Sequence, residues 1–240
     1  MQKNSFEFLG RQIELWTHPD PDHQARAIRS NRTFYELDLL MKCQELYLPG
    51  TAIIDVGANI GNYSVFFGAI LNAPVYAFEP FQPNRALLEI NIAANRLSGQ
   101  IVAPCCALGE VVGVGSLQPD PPPHFGTARM SFGFGDTMVR SLDSLAIPGP
   151  IGLIKIDVEG AEVSVLRGAE GLIHAWLPDV LAAAGTREAF WRLADVLARY
   201  GYAPRGRYAK SATYLFSAMD QLRRMEHITE DLYQNRGWGV

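Results

Sequence analysis

Apolar residues follow two alternating patterns along this chain. Near-continuous apolar runs predict strands that are buried on both faces, at 53–56, 75–79, 101–106 and 151–157. Between and after these runs, apolar positions recur at helical spacing, most clearly at 82–96 and 186–200. Strands that alternate with helices predict an α/β fold, in which helices cover both faces of a mostly parallel sheet.

The first fifty residues have a different pattern, which predicts a cap or lid over the main fold. Residues 5–16 alternate apolar and polar positions and predict a short hairpin, and the turn-forming HPDPD at 18–22 predicts a hinge. A helical pattern then covers 22–48, with one face formed by Leu37, Leu40 and Met41. Tyr35 and Glu36 fall inside that helix and are interpreted as packing and surface groups, with an approach to a cofactor as the alternative.

With 240 residues, the chain is expected to form one domain. Its predicted parts are the N-terminal segment 1–50, a core at 51–217 with an insertion at 111–140, and a tail at 218–240. The insertion contains DPPPHFGTARMSFGFGD, whose prolines and glycines exclude a helix. Two interpretations stay open: strands or loop at the sheet edge, or a loop on the substrate side. Its histidine, His124, is interpreted as a surface residue.

A glycine-rich turn connects the first core strand to the helix that follows it. In TAIIDVGANIGNYSVFFG (residues 51–68), Asp55 ends the strand and Gly57 to Gly61 form the turn. Such a turn leaves backbone N–H groups unpaired and lets the main chain approach a ligand. Its G-x-x-x-G spacing places Asn59 where the dinucleotide fingerprint G-x-G-x-x-G has its middle glycine. The turn therefore favours a ligand with donors and a cation over a pyrophosphate.

Acidic residues occur at the carboxyl ends of several predicted strands. Right-handed crossovers place these strand ends along one edge of the sheet, so Asp55, Glu79, the Cys106 region and Asp157 are expected to converge there. Glu79 follows the glycine turn by about twenty positions, as does the acid that binds ribose hydroxyls in nucleoside sites. S-adenosylmethionine, which carries an ammonium, a sulfonium and a ribose, fits this set. Phe81, beyond Pro80, and the Cys106-Ala107 turn are expected to flank its adenine.

The strand at 151–157 continues into two acids, Asp157 and Glu159. If the chain stays extended, residues i and i+2 point to the same side, so both carboxylates face one site. Either is a candidate general base. The alternative is that Asp157 binds the cofactor while Glu159 caps the helix that starts near Gly160. A divalent cation held by these acids is a third interpretation, although no metal site is expected. Lys155 is expected to pair with Asp157 or with Glu79.

Composition excludes several classes of protein. A net charge of -4 offers no general basic field for nucleic acid. Cys43, Cys105 and Cys106 have neither a disulfide pattern nor zinc-ligand spacing, which favours reduced thiols in a cytoplasmic protein. No apolar stretch reaches the length of a membrane span, and MQKNSFEFLG lacks the apolar segment of a signal peptide.

Five sequence blocks, in the same order and spacing, resemble the FkbM-type S-adenosylmethionine-dependent methyltransferases. They are DVGANIGNYS, FEP, ALGE, SLDSL and LIKIDVEGAEVSVLRGAEGLI, of which IKIDVEGAE is the most specific. The resemblance implies a Rossmann-like class I fold, with a seven-stranded sheet whose last strand is antiparallel. It also implies methyl transfer to a hydroxyl oxygen of a sugar or secondary metabolite, hence O-methylation in natural-product or glycan tailoring.

The resemblance also assigns roles to residues of this chain. Asp157 and Glu159 match acids beside the transferred methyl group and are the predicted catalytic residues. The predicted cofactor-binding residues are Asp55, Gly57, Asn59, Gly61, Tyr63, Glu79, Pro80, Phe81, Cys106, Ala107 and Asp157. Residues 182–185 (AAAG) depart from the family, which often has an acid at the end of this strand. The wall facing the acceptor is therefore expected to differ.

The leading hypothesis is an O-methyltransferase for a small hydroxylated acceptor, with homo-oligomerisation left open. A nicotinamide-dependent oxidoreductase on a similar sheet is a second hypothesis, against which the missing middle glycine argues. A third is a module that binds S-adenosylmethionine without catalysis, against which the acids at 157 and 159 argue.

Overall fold

The structure is a computed structural model that describes residues 1–19, 22–119, 128–208 and 212–220. The predicted surface residue His124, part of the HPDPD hinge and the tail beyond residue 220 lie outside the described residues. The strands in chain order are β1 (Gln2–Phe8), β2 (Arg11–Thr17), β3 (Ala52–Val56), β4 (Val75–Phe78), β5 (Ile101–Val102), β6 (Ala107–Leu108), β7 (Gly113–Pro119), β8 (Ala128–Phe132), β9 (Thr137–Arg140), β10 (Ile151–Ile156), β11 (Asp179–Ala183), β12 (Tyr202–Tyr208) and β13 (Thr213–Ala218).

The helices separate these strands much as the sequence predicts. They are α1 (His23–Asn31), α2 (Leu37–Leu46), α3 (Asn62–Ala69), α4 (Gln82–Ala94), α5 (Glu162–Arg167), α6 (Glu170–Trp176) and α7 (Arg187–Arg199). A short 3-10 helix, Asp143–Leu145, precedes β10.

The central sheet has seven strands, in the order β12-β13-β11-β10-β3-β4-β5. The strands from β11 to β5 are parallel, and β13, the last of the described strands, runs antiparallel to β11 and β12. The predicted α/β, Rossmann-like class I architecture is confirmed. Since the chain winds outward from β3 in one direction and from β10 in the other, the two strands flank the switch point where such sheets bind ligands.

Two apolar cores lie on opposite faces of this sheet, because successive strand residues point to opposite sides. On β3, Ile53 packs with the hairpin and helices α1 to α4, whereas Ile54 packs with helices α5 to α7. Leu153 and Ile154 divide in the same way on β10. All four are fully buried, which explains why these strands read as continuous apolar runs.

The N-terminal hairpin, β1 and β2, is confirmed, and α4 holds it through side-chain amides. Asn91, fully buried, accepts a hydrogen bond from the Trp16 N–H at 2.6 Å and donates to the Trp16 carbonyl oxygen at 2.9 Å. Asn95 makes the equivalent pair with the backbone of Glu14. These amides satisfy backbone groups along β2 that would otherwise face the helix unpaired.

The prediction of one helix over 22–48 is wrong, because α1 and α2 are separated by a loop. Arg32, which has φ +49°, ends α1, and Glu36, which has φ +52°, precedes α2. Phe34 between them is buried and makes edge-on contacts with Phe6 and Phe66. Burial of this ring stabilises the break. Met41, predicted to lie on the buried face of that helix, is 38% exposed.

Three strands of the insertion and β6, which precedes it, form a second sheet of four strands, in the order β6-β9-β7-β8. The interpretation as strands is confirmed, although they form a sheet of their own. Strands β7 and β8 pair antiparallel, and β9 returns the chain towards β10.

Candidate active site

A cavity of about 610 Å³ opens at the carboxyl ends of β3, β10 and β11. Its inner wall includes Gly57, Asn59, Tyr63, Asp157 and Glu159. Its outer wall comes from α1, the loop before α2 and the beginning of α7, so the N-terminal segment contributes to the site.

A second cavity, about 50 Å³, adjoins the first. Gly57, Asp157 and Glu159 line both cavities, which therefore meet at the switch point between β3 and β10. Glu79 and Pro80, at the end of β4, form the far side of this smaller cavity.

Gly57 is required where the two strands come together. The pairing of Val56 with Ile156 brings the next residues, Gly57 and Asp157, side by side. A Cβ atom added to Gly57 would lie 1.9 Å from the carbonyl oxygen of Asp157, and Gly57 has φ +77°. A larger residue would force the strand ends apart.

A buried ion pair lies beneath the glycine turn. Lys155 Nζ lies 3.3 Å from Asp55 Oδ1 and donates to the Gly57 carbonyl oxygen at 2.9 Å. It also lies 4.0 Å from Asp157 Oδ2 and 4.9 Å from the centre of the Tyr63 ring. Burial would lower the pKa of Lys155, but the Asp55 and Asp157 carboxylates outweigh it and raise that pKa. The ammonium therefore stays charged and holds the turn in place.

Asp55, a predicted cofactor-binding residue, consequently does not present a free negative charge to the cavity. The side chain is fully buried and accepts a hydrogen bond from Ser64 Oγ at 2.6 Å. The nearby Lys155 ammonium offsets its charge. Asp55 therefore supports the wall from behind.

Glu79 is a buried acid whose two carboxylate oxygens bind backbone. Oε2 accepts from the Asn59 N–H at 2.9 Å and Oε1 from the Phe81 N–H at 2.8 Å. Burial raises the pKa of Glu79 to about 7, against the opposing effects of these two N–H groups and Lys155. Each carboxylate oxygen has a further lone pair available for a ligand hydroxyl.

The expectation of an extended chain through Asp157 and Glu159 is wrong, because β10 ends at Ile156. Glu159 has φ +53° and Gly160 has φ +106°, so the chain turns between the strand and α5. Glu162 fastens this turn: its Oε1 accepts from the Gly160 N–H at 3.1 Å and the Val158 N–H at 3.3 Å. Both predicted catalytic acids nevertheless face the same cavities.

Tyr35 and Glu36 line the larger cavity, which corrects their interpretation as packing and surface groups. Asn62, at the start of α3, holds the Tyr35 backbone with a pair of hydrogen bonds of 2.9 and 3.0 Å. Glu36 accepts a hydrogen bond from the Tyr63 hydroxyl at 2.8 Å. Burial raises the pKa of Tyr35 to about 12, so its hydroxyl keeps its proton. No local pattern signals the Asn62 contact, because its partner is 27 residues away.

The predicted cofactor residues fall into two groups. Those that line a cavity are Gly57, Asn59, Tyr63, Glu79, Pro80, Ala107 and Asp157. Those that lie outside both cavity linings in the described structure are Asp55, Gly61, Phe81 and Cys106. Gly61 supports α4, since a Cβ atom there would lie 2.7 Å from Leu88 Cδ1, and Cys106 belongs to an apolar core.

The described part of the insertion reaches the smaller cavity. Leu117 on β7 and Ala128 and Met130 on β8 line it opposite Glu79. These strands therefore close the side of the site that holds Glu79, and the substrate-side interpretation of the insertion stays a prediction.

Among the described residues, no helix is long and apolar enough to cross a membrane. No group of three or more His, Cys, Asp or Glu side chains in those residues is placed to hold a metal ion.

A comparison with known families identifies the chain. Residues 55–220 match the family model described as the methyltransferase FkbM domain. The chain belongs to this family. The resemblance carried by the IKIDVEGAE block is thereby confirmed.

Two curated relatives of this FkbM-domain chain are each 32% identical to it. They are the 31-O-demethyl-FK506 methyltransferase FkbM of Streptomyces tacrolimicus and the hexuronic acid methyltransferase AglP of Haloferax volcanii. The matches cover 51% and 50% of this chain, respectively. They span 60% and 51% of the relatives' own lengths.

Two solved structures are similar in fold. The methyltransferase FkbM from Methylobacillus flagellatus KT has a TM-score of 0.56 and 20% identity, covering 78% of this chain and 49% of that one. TYW2 from P. horikoshii, solved in complex with MeSAdo, has a TM-score of 0.50 and 14% identity, covering 90% of this chain and 69% of that one.

Proposed function

We propose that this FkbM-domain protein is an S-adenosylmethionine-dependent O-methyltransferase that acts on a hydroxyl of a small metabolite or sugar. The observation that carries the proposal is the meeting of two cavities at Gly57, Asp157 and Glu159, with Glu79 at the far side of the smaller one. This layout suits a cofactor that spans both cavities and presents its methyl group where they join.

The residues of the site fit S-adenosylmethionine. Glu79 would accept hydrogen bonds from the ribose hydroxyls, and Ala107 and Pro80 would flank the adenine. Gly57, without a side chain, lets the main chain approach closely. Asp157 and Asn59 would face the methionine portion with its positive charges. When bound, this cofactor supplies a methyl group already activated by the sulfonium.

Two tasks then remain for the protein. The first is to hold the acceptor oxygen in line with the methyl group, and such positioning contributes roughly 7–11 kcal/mol in favourable intramolecular reactions. The second is to take the hydroxyl proton as the oxygen attacks, for which Asp157 and Glu159 are the candidates. A general base in this position accelerates a reaction by about 10²–10⁴-fold.

The relatives support the class of acceptor. One is named for a methyl transfer to 31-O-demethyl-FK506 and the other for methylation of a hexuronic acid. The first name places the methyl group on an oxygen and the second names a sugar acid, which supports tailoring of natural products or glycans as the setting.

Calorimetric titration tests the cofactor. We expect S-adenosylmethionine and S-adenosylhomocysteine to bind in the micromolar range and to raise the melting temperature, and NAD to do neither. Tight binding of NAD without S-adenosylmethionine would favour the oxidoreductase alternative. Cofactor binding without turnover of any hydroxylated acceptor would favour the non-catalytic module.

Glu159→Gln and Asp157→Asn, each nearly isosteric, test the base. Loss of the base lowers kcat by about 10²-fold or more while cofactor affinity stays within a few-fold. Unchanged kcat with intact cofactor binding removes that acid from the role. Turnover that survives EDTA excludes the interpretation in which these acids hold a divalent cation.

A further inference from the structure

Two arginines stand on the outer wall of the larger cavity, opposite the catalytic acids. Arg26 belongs to α1 and Arg192 to α7, and both side chains are solvent-exposed. Several other arginines are paired with acids, as in Arg85 with Glu89 and Arg199 with Asp195. Within the described part of the chain, no hydrogen bond or ion pair occupies the guanidinium of Arg26 or Arg192.

Helix geometry brings both side chains to the same opening. Arg26 follows His23 by three positions on α1, and Arg192 follows Ala189 by three on α7; all four line the cavity. Residues at this spacing share a helix face, and helical side chains lean towards the helix N-terminus. Both helices begin at the cavity, so both guanidinium groups extend towards its mouth.

Several carboxylates on the cavity wall already accept hydrogen bonds from other groups of the protein. The Asp22 carboxylate accepts from the Ala25 N–H, Glu36 accepts from the Tyr63 hydroxyl, and Glu162 holds the turn after β10. Asp157 and Glu159 lie at the inner end, where a cationic cofactor is proposed. The wall between them and Arg192 is small and neutral, formed by residues 183–185 at the end of β11.

We propose that the methyl acceptor carries an anionic group, a carboxylate or a phosphate, which Arg26 and Arg192 bind while the reacting hydroxyl faces Asp157 and Glu159. This inference rests on the proposed methyltransferase function and names its substrate class. A guanidinium matches the two oxygens of either anion with parallel N–H donors, which gives orientation as well as affinity. Bound at its charged end, the acceptor is held across the cavity with its hydroxyl directed inward.

The test measures binding of matched sugars to the full chain saturated with S-adenosylhomocysteine. D-Glucuronate and D-glucose 6-phosphate are the charged probes, and D-glucose is the neutral one. The variants are Arg26→Gln, Arg192→Gln and the double variant. Arg187→Gln is the control, because Arg187 is equally exposed on α7 but does not line the cavity. Dissociation constants are taken from NMR titrations at low and high salt.

We expect at least one charged probe to bind the wild type about tenfold or more tightly than glucose, and each arginine substitution to remove about tenfold of that preference. A difference between the two charged probes identifies the anion as carboxylate or phosphate. The preference is also expected to weaken at high salt, since the arginines are exposed to solvent. The control variant should keep the wild-type preference within twofold.

Three outcomes overturn the inference: equal binding of charged and neutral probes to the wild type, no binding of either charged probe, or a preference that survives in the double variant. A fourth is loss of S-adenosylhomocysteine affinity in the arginine variants, which would assign these residues to the cofactor's carboxylate instead. Failure of the wild type to bind S-adenosylhomocysteine at all refutes the proposed function separately, before any probe is added.

Discussion

Glu79 offers a measurement that connects the electrostatics of the site to stability. Its side chain is 7% exposed, and burial is the main reason that its pKa rises from 4.5 to about 7. The folded protein therefore holds this proton more tightly than the unfolded chain does. Between pH 4.5 and 7, the folded state binds more protons, so this group's contribution to the free energy of unfolding falls as the pH rises.

The size of the effect follows from the pKa difference. Each tenfold change in proton affinity is worth about 1.4 kcal/mol, so complete ionisation of Glu79 removes roughly 3 kcal/mol. Between pH 5 and pH 8 the expected loss is about 2.5 kcal/mol. Glu79→Gln has no ionisable group at this position and should lack this component of the slope.

Urea unfolding of the ligand-free wild type and Glu79→Gln at pH 5 and pH 8 measures the difference. Glu89→Gln is the control, because Glu89 is an exposed acid, paired with Arg85 on α4. The stability gap between wild type and Glu79→Gln should change by about 2.5 kcal/mol across this range, and the gap for the control by less than about 0.5 kcal/mol. A gap for Glu79→Gln that stays constant with pH would refute the reasoning.

The same variant tests the ribose contact. Hydrogen bonds to a charged group are worth about 1.5–3 kcal/mol each, so Glu79→Gln should bind S-adenosylhomocysteine roughly 10- to 100-fold more weakly at pH 8. Wild-type binding near pH 6 should also release protons, because ribose donors stabilise the ionised carboxylate. Calorimetry in buffers of different ionisation enthalpy measures that release.

Three further substitutions test the framework of the site. Gly57→Ala should abolish cofactor binding and destabilise the protein by more than about 2 kcal/mol. Gly10 is the control, because its φ of +75° is similar but the space around it is open, so Gly10→Ala should cost only the backbone strain of about 1–2 kcal/mol. Equal melting temperatures for the two variants would contradict the close approach of Gly57 to Asp157. Lys155→Met should lower the free energy of unfolding in urea by about 3–5 kcal/mol, because it leaves the buried Asp55 carboxylate without its ion-pair partner. Replacing Asp55 with Asn as well should recover part of the loss. A change below about 1 kcal/mol in Lys155→Met would contradict this pairing. Asn91→Ala removes three hydrogen bonds to the hairpin and the glycine turn. We therefore expect the free energy of unfolding to fall by roughly 2–4 kcal/mol and the backbone amides of β2 to exchange hydrogen faster. Unchanged exchange in β2 would show that the Asn91 amide does not hold the hairpin.

The sequence predicts the half of the site that depends on strand order. Apolar runs identify the strands, and right-handed crossovers place their carboxyl ends at one edge of the sheet, where ligands bind. These rules predict that Gly57, Glu79 and Asp157 lie together, and they require no knowledge of side-chain contacts. These are properties of the backbone, and a short continuous apolar run between turn residues is a strong signal for a strand that is buried on both faces. The same rules cannot determine where the chain points after a strand ends, which is why the turn at Glu159 differs from expectation. They also do not show side-chain partners, and Asp55 within β3 is held by Lys155 and Ser64.

The other half depends on contacts between distant parts of the chain. The loop between α1 and α2 depends on the packing of Phe34 against Phe66 and on the hydrogen bonds from Asn62 to the Tyr35 backbone. A helical pattern over 22–48 contains no mark of either contact. Glu162 is similar: its sequence position suggests an ordinary first-turn acid, while its carboxylate in fact holds the preceding turn.

This division has a consequence for specificity. The family match begins at residue 55, so Arg26, Tyr35 and Glu36 lie outside the matched region although they line the larger cavity. The proposed cofactor contacts at Gly57, Glu79 and Asp157 lie within it. The matched core would thus supply the reaction common to the family, and the N-terminal segment would supply one wall of the acceptor site. The buried amides of Asn62 and Asn91, both inside the matched core, hold that segment in place. These two amides would therefore keep that wall in place while the residues that face the acceptor change.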